Sequence, residues 1–309
     1  MKTALLYLLA WATAGAADQV PAPFPLCAVA GGPQVALWQG AANPNKPYIA
    51  QLFAPGEKPL PLLVDSPPDH FHHHGLMFAL GVDDTDFWSE KGIANAGRQV
   101  PPAPNAAPQG NGFTSNLQWL ATDGTKLLDE TRQVRVRTTG TGAATVNWLD
   151  WQSTLAVAAG RDSVRLSGAH YFGLGMRFLP AWDQRAEWIW ANTAGQYTVR
   201  GDEKITPGPW CAARCEIDGR SVTVLMIDHP ANPRPVRWFT MREPFCYLSA
   251  ALGLDKEPAR LAKGETWTLR YGIAVFTTPA DPARLAKLAE EWRQSASIKT
   301  PATPTPSHP

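Results

Sequence analysis

The chain has 309 residues, of which 44% are apolar, and its formal net charge at pH 7 is +1. This apolar content is enough for a substantial core, and the charged residues are mixed in sign, with no basic run. The composition therefore argues against a surface built for nucleic acid or for anionic membranes, and it favours a small, uncharged partner.

The N-terminus has the pattern of a secretory signal peptide. Lys2 precedes the apolar run ALLYLLAWATAGA, and the small residues Gly15, Ala16 and Ala17 suit cleavage. We therefore expect a signal peptide over residues 1–17, a mature chain from residue 18, and a secreted or periplasmic location. No later apolar run is long enough to predict a membrane span.

The segment PPDHFHHHGLMFALG, residues 67–81, concentrates four of the seven histidines beside Asp69. Crowded imidazoles repel one another when protonated, so near neutral pH they stay in the form that binds a metal or takes a proton. In an extended segment, alternation would place His70, His72 and His74 on one side and His73 on the other. We predict catalytic roles for His70 and His72.

The same segment contains the candidate metal ligands. His72, His73 and His74 are the residues that we name for a divalent ion such as zinc, copper or manganese. A hydrogen-bonded turn with one buried histidine is the alternative interpretation, in which Asp69 caps local N–H groups and no chemistry takes place.

Acidic residues follow in GVDDTDFWSEKG, residues 81–92. A carboxylate beside an imidazole is what acid–base chemistry on a sugar requires, and Asp86 is the candidate because it precedes an apolar aromatic pair. Trp88 offers a flat face for a sugar ring, and Glu90 offers hydrogen bonds. We predict Asp86 as catalytic and Trp88 and Glu90 as substrate-binding; Asp83 and Asp84 have the pattern of a solvated turn.

Alternation with period two dominates the middle of the chain. The segments TRQVRVRT, SVTVLMID and TWTLRYGIAVF are typical of half-buried antiparallel strands, and a dozen or more such segments occur. They predict an all-β fold, a large antiparallel two-sheet sandwich over residues 18–294. Residues 101–112, rich in proline, predict a long surface loop.

One helix is predicted at the C-terminal end, over DPARLAKLAEEWRQ, residues 281–294. Asp281 suits the cap, Pro282 suits the first turn, and Leu285, Leu288 and Trp292 fall on one face. The proline- and threonine-rich residues 295–309 have nothing to bury, so we predict a disordered tail.

Three further residues are candidates from their position in apolar strands. Arg177 in GLGMRF needs an anionic partner if buried, either a structural Asp or a substrate carboxylate. His229 in MIDHPANP lies where a strand meets a loop, so we predict it as catalytic, with Asn232 and Arg177 as substrate-binding.

The sequence leaves the disulfide pairing of the four cysteines open. Cys211 and Cys215 are close in sequence and are as consistent with a disulfide as with free thiols, which leaves Cys27 and Cys246 for a second bridge. Four free buried thiols are the alternative.

The chain resembles a bacterial family labelled "methane oxygenase PmoA", or PmoA-like. The resemblance lies in PYIAQLFAP, DSPPDHFHHHGLMFALGVDDTDFWSE, GLGMRF, MIDHPANP and LAKGETWTLRYGIAVF, from about Tyr48 to Phe276. In the central motif, Phe71 replaces the family's Pro and His74 its Arg. The resemblance implies a secreted sandwich similar to the galactose mutarotase supersandwich, with His72 or His229 as acid and Asp86 or Glu90 as base.

We therefore expect an exported PmoA-like protein that acts on a small carbohydrate or sugar-derived substrate as a hydrolase, lyase or epimerase, with or without a divalent metal. In this hypothesis the histidine segment, Asp86, Arg177 and His229 converge on one pocket. A non-catalytic carbohydrate-binding protein is the first alternative, and a copper-dependent oxidase or oxygenase, as the family label implies, is the second.

Overall fold

The computed structural model describes residues 23–40, 45–90, 92–102 and 110–296. The predicted signal peptide, residues 103–109 of the proline-rich loop and residues 297–309 of the predicted tail lie outside this range. Within it the chain is built almost entirely from antiparallel strands. No helix in the described residues is long and apolar enough to cross a membrane.

The first half of the chain contains strands β1 to β11, and the last two of them, β10 and β11, form a long hairpin. In chain order they are β1 (Phe24–Cys27), β2 (Gln34–Gln39), β3 (Tyr48–Ala54), β4 (Leu60–Pro61), β5 (Leu76–Ala79), β6 (Gly81–Val82), β7 (Thr85–Asp86), β8 (Arg98–Val100), β9 (Gly112–Leu120), β10 (Lys126–Thr139) and β11 (Val146–Val157).

The second half adds eleven strands and the helix. They are β12 (Ser163–Ser167), β13 (Gly173–Arg177), β14 (Glu187–Trp190), β15 (Tyr197–Thr198), β16 (Lys204–Pro207), β17 (Trp210–Ile217), β18 (Arg220–Asp228), β19 (Arg237–Met241), β20 (Tyr247–Ala251), β21 (Ala259–Ala262), β22 (Thr266–Phe276) and α1 (Pro282–Ala296). Short 3₁₀ turns occur at Gly142–Ala144 and Pro180–Trp182.

These strands form three antiparallel sheets. The largest has the order β1-β2-β3-β5-β13-β20-β19-β16-β15, with β4 paired to β3, and the second has the order β14-β17-β18-β22-β11-β10-β9-β8. A four-stranded sheet, β21-β12-β6-β7, is the third. The predicted all-β sandwich is confirmed, but the prediction of two sheets is incomplete, because β6 and β7 have two residues each and show no periodicity.

The eight-stranded sheet is apolar on both faces. Leu149, Ile273 and Met226 are paired across β11, β22 and β18 and belong to the main core. Their neighbours Trp148 and Ala274 point the other way and join a second apolar cluster with the helix. Alternation along the strands therefore separates a core between the sheets from a layer beneath α1.

The predicted helix is present and extends two residues further than expected, to Ala296. The backbone N–H of Arg284 donates to Oδ1 of Asp281 at 2.8 Å, which is the expected cap. Trp292 is buried and donates through Nε1 to Asp150, and Gly272 gives its ring room, since a Cβ there would lie 2.5 Å from the indole.

Candidate functional site

The histidine segment folds as a turn. The backbone N–H of His70 donates to Pro67 O at 3.1 Å, and that of His73 donates to His70 O at 2.9 Å. The extended geometry assumed from the sequence is therefore wrong, because these bonds curl the chain before β5 begins. As a consequence His70, His72 and His73 gather on one side, while His74 turns into the protein.

The three gathered imidazoles touch one another. The ring of His73 stacks on that of His70 at 4.8 Å between centroids and meets the edge of His72 at 4.7 Å. Burial, reinforced by neighbouring positive groups, lowers the pKa of His73 to about 2 and that of His72 to about 4. Both rings are therefore neutral at physiological pH.

His74 is engaged on both ring nitrogens. Its Nδ1 lies 2.7 Å from Oδ1 of Asp65, and its Nε2 lies 3.0 Å from Oε1 of Glu90. Burial opposes a charge on this ring, but the two carboxylates outweigh it and raise the pKa of His74. His74 and Glu90 thus belong to a buried ion-pair network and do not line the cleft described below, whereas the sequence named them as a metal ligand and a substrate contact.

The network also fixes the backbone of Trp88. Buried Lys46 lies 3.0 Å from Glu90 through Nζ and donates to Trp88 O at 2.5 Å. On the other side, Oδ1 of Asp86 accepts the backbone N–H groups of Trp88 and Ser89 at 2.7 and 3.0 Å. Oδ1 of Asp86, the residue named as catalytic from the sequence, therefore caps this turn and helps to position Trp88, and Asp86 does not line the cleft described below.

Arg177 is paired inside the protein. Its Nη2 donates to Oδ2 of Asp69 at 3.0 Å, and its guanidinium carbon lies 3.5 Å from the ring centroid of Phe245. The hydrogen bond from Arg177 holds the pKa of Asp69 below its usual value, although partial burial opposes this. The structural Asp is the partner of Nη2, whereas Nε and Nη1 are buried without a hydrogen-bond partner. Phe245 lines the adjoining cleft and Arg177 does not.

That cleft has a volume of about 550 Å³ and lies on one face of the ten-stranded sheet. Strand pairing places Arg177, Tyr247 and Met241 on the same face of β13, β20 and β19. Three kinds of side chain line the cleft: the imidazoles of the turn, a set of aromatic rings and a set of carboxylates. The rings belong to Trp88, Tyr171, Phe239, Phe245 and Tyr247, and the carboxylates to Asp202, Glu203 and Glu243.

Four polar atoms around this cleft are buried and have no hydrogen-bond partner. They are Nδ1 of His73, Nε1 of Trp88, the hydroxyl of Tyr247 and Oε2 of Glu203. A buried polar group left unpaired costs about 1–3 kcal/mol, so such groups are few in native proteins and call for a partner. Other buried polar atoms without a hydrogen-bond partner are spread through the described residues, but these four belong to side chains that line one concave site, where a ligand can pair with them.

A family model matches the chain over residues 28–290, and its description is "Family of unknown function (DUF6807)". The protein belongs to the DUF6807 family. No curated protein matches the chain. The family description names no activity, so the PmoA-like label and the carbohydrate function expected from the sequence stay predictions.

Two predicted residues lie elsewhere in the DUF6807 protein. Asn232 follows β18 and donates through Nδ2 to Asp228 Oδ1 at 2.8 Å and to Arg270 O at 2.9 Å. His229 accepts the backbone N–H of Ala231 at 3.1 Å, and its ring lies 5.8 Å from that of Trp292. Neither residue lines the cleft, so the structure does not bring His229 to the histidine turn, and it places Asn232 away from the cleft as well.

The donor geometry also tests the predicted metal site. In the described part of the DUF6807 chain, no group of three or more His, Cys, Asp or Glu side chains is arranged to hold a metal ion. His70 and His73 are stacked face to face, and both nitrogens of His74 are engaged with carboxylates. The trio His72, His73 and His74 therefore does not fit the expected site, since the turn sends its members in different directions.

All four cysteines are free. Cys211 and Cys215 both lie on β17, four residues apart, and at about 3.3 Å per residue an extended strand separates them by roughly 13 Å. A disulfide requires Cα atoms within about 7 Å, so of the two alternatives left open by the sequence the structure has the free thiols.

Sequence reasoning missed Tyr247 and Glu203. Tyr247 stands on β20 above Gly175, where a Cβ would lie 2.3 Å from the tyrosine hydroxyl, so glycine makes space for the ring. Glu203 closes a hairpin after a short edge strand. A glycine in a strand can signal that a bulky ring from a neighbouring strand lies over it, but which ring does so is known only from the fold.

Proposed function

We propose that the cleft is the active site of an exported carbohydrate-active enzyme that performs acid–base chemistry on a small sugar or sugar-derived substrate. The concentration of unpartnered buried polar atoms carries this proposal. Two of them, the indole N–H of Trp88 and the hydroxyl of Tyr247, can donate, and Oε2 of Glu203 can accept. Sugar hydroxyls both donate and accept, and so can satisfy such a mixed set.

The aromatic lining supports a sugar ring as the ligand. Trp88 and Phe172 are stacked at 5.1 Å with their planes only 9° apart, and Tyr171 meets the edge of Trp88 at 5.3 Å. These contacts and the clamped backbone hold the indole in one orientation. Only 1% of Trp88 is exposed and Phe172 covers one face of the indole, so the ring presents its edge with the N–H to the cleft. That edge suits a sugar hydroxyl and the C–H group beside it.

The two imidazoles have different parts in this proposal. His73 is the more deeply buried, and a ring with a pKa of about 2 is a weak base, so it binds a substrate hydroxyl. His72 is half-buried, has a pKa of about 4, and can pass a proton to solvent. His72 is therefore the general base. The phenol of Tyr247, whose pKa burial raises well above 10, stays protonated and donates a hydrogen bond.

Turnover of a panel of mono- and oligosaccharides, followed by NMR and mass spectrometry of the products, tests the proposal. We expect at least one sugar to be converted, and His72→Gln to lower kcat by about 100-fold because a general base contributes at least that factor. His229→Gln is the matched control, since its ring lies against α1 and outside the cleft, and it should keep wild-type turnover.

The outcomes separate enzyme from binding protein. A sugar that binds in calorimetry and is recovered unchanged would assign the cleft to binding alone. Turnover that survives in His72→Gln at the wild-type rate would remove His72 from the chemistry and contradict the assignment of the base.

A further inference from the structure

Part of the lining of the cleft is acidic. It is formed in part by the hairpin between β15 and β16, where Val199 N donates to Glu203 O and Glu203 N donates to Arg200 O, both at 2.9 Å. This tight turn carries Asp202 and Glu203 to the cleft, and Glu243 lies beside them. Three carboxylates therefore line the site, against one guanidinium, that of Arg200.

Glu203 has one oxygen satisfied and one open. Its side chain is only 7% exposed, and Oε1 accepts from Nε of Arg200 at 2.8 Å. Oε2 is buried without a hydrogen-bond partner, and His170 Nε2 lies 3.4 Å from it. Arg200 is itself 77% exposed, so it reaches Glu203 from the solvent side. Oε2 has only the 3.4 Å contact with His170, and it can still accept a hydrogen bond from a ligand donor.

Arg177 and Lys46 are the other cations near the cleft, and neither lines it, although Nε and Nη1 of Arg177 are buried without a hydrogen-bond partner. Arg177 is bound to Asp69 and covered by Phe245, and Lys46 is buried against Glu90. His72 and His73 are neutral, as shown above. An anionic ligand group would therefore meet the Glu203 carboxylate and would have no unshielded cation in the cleft lining other than Arg200, which Glu203 already neutralises.

We propose that the cleft selects a non-anionic sugar that donates a hydrogen bond to Oε2 of Glu203, and that it rejects uronates and sugar phosphates. The donor is a hydroxyl or an ammonium group, since both bind a carboxylate oxygen. This inference rests on the proposed function and names its substrate class. Glu203 is then a specificity-determining residue, because placing an anionic ligand group beside its buried carboxylate lowers the affinity for that ligand.

Saturation-transfer NMR and calorimetry with matched sugars test this inference. The probes are glucose, galactose and mannose, each with its 2-amino and its uronate counterpart. We expect the wild type to bind a neutral or amino sugar at least about tenfold more tightly than the matched uronate. Preference for the neutral form identifies a hydroxyl as the donor, and preference for the amino form identifies an ammonium group.

Glu203→Gln keeps the size of the side chain and an acceptor oxygen but removes the charge. We expect this variant to bind the uronate at least several-fold more tightly than the wild type does. The tenfold difference in affinity between the neutral or amino sugar and the uronate should therefore become smaller. Glu257→Gln, at an exposed carboxylate paired with Arg234, is the matched control and should keep the gap. Circular dichroism and urea unfolding verify that both variants fold.

The results distinguish this inference from the proposed function. A uronate that binds the wild type as tightly as its neutral counterpart overturns the selectivity while leaving a sugar site in place. A gap that Glu203→Gln does not change overturns the role of Glu203. Absence of binding by every sugar in the panel overturns both proposals together.

Discussion

Replacing His73 with Phe tests whether a neutral imidazole lies at the base of the cleft. The folded-state pKa of His73 is about 2, because burial and nearby positive groups disfavour its charge, whereas the ordinary value is 6.5. The unfolded chain therefore binds a proton that the folded chain does not. This contribution to stability is fully present above pH 6.5 and is lost as pH falls towards 2.

The magnitude follows from these two values. On lowering the pH from 7 to 5, the unfolded imidazole gains its proton while the folded one stays neutral, which costs the wild type about 2 kcal/mol. His73→Phe keeps a ring of similar size against Tyr247 and removes both the titration and the unpartnered Nδ1. The variant should lose about 2 kcal/mol less than the wild type over the same interval.

Urea unfolding at pH 7 and pH 5 measures the difference. Tyr247→Phe is the control, because the phenol has a pKa raised well above 10 and does not titrate in this interval. It should therefore show the pH dependence of the wild type. Equal losses in the wild type and His73→Phe would show that His73 is protonated in the fold, and would refute the reasoning about the neutral cluster.

Three further predictions concern the parts that support the site. Gly175→Ala should cost about 1–3 kcal/mol in urea unfolding, since its Cβ would lie 2.3 Å from the Tyr247 hydroxyl, and adding Tyr247→Phe should recover part of the loss. Lys46→Met should cost about 3–5 kcal/mol by leaving Glu90 buried with a missing partner, and the double variant with Glu90→Gln should lose less. Alkylation of the unfolded, non-reduced protein should modify four cysteines by mass spectrometry, and fewer would contradict the free thiols.

Much of the fold could be predicted because its longest strands repeat every two residues. β10, β18 and β22 were readable from TRQVRVRT, SVTVLMID and TWTLRYGIAVF, and α1 from the cap at Asp281 and the apolar face behind it. The small third sheet was not readable, since two-residue strands are defined by their partners. The pairing of β13 with both β5 and β20 likewise depends on the tertiary structure and cannot be read from the sequence.

The site was predicted only in part, for a physical reason. The sequence pointed to three histidines and Trp88 that line one cleft. It could not show that backbone hydrogen bonds would curl residues 67–73 and send His74 inward. Nor could it show that Glu90 would form ion pairs with Lys46 and His74. His229 was misplaced because the sequence does not show to which sheet a strand end belongs. The ring of His229 in fact lies against Trp292 of α1.

A crystal structure of the protein with a bound sugar from the panel tests the central claim most directly. The account predicts a sugar ring against Trp88, with ligand oxygen or nitrogen atoms within about 3.2 Å of His73 Nδ1 and Glu203 Oε2. A sugar bound at another surface, with these two atoms still unpartnered, would contradict it.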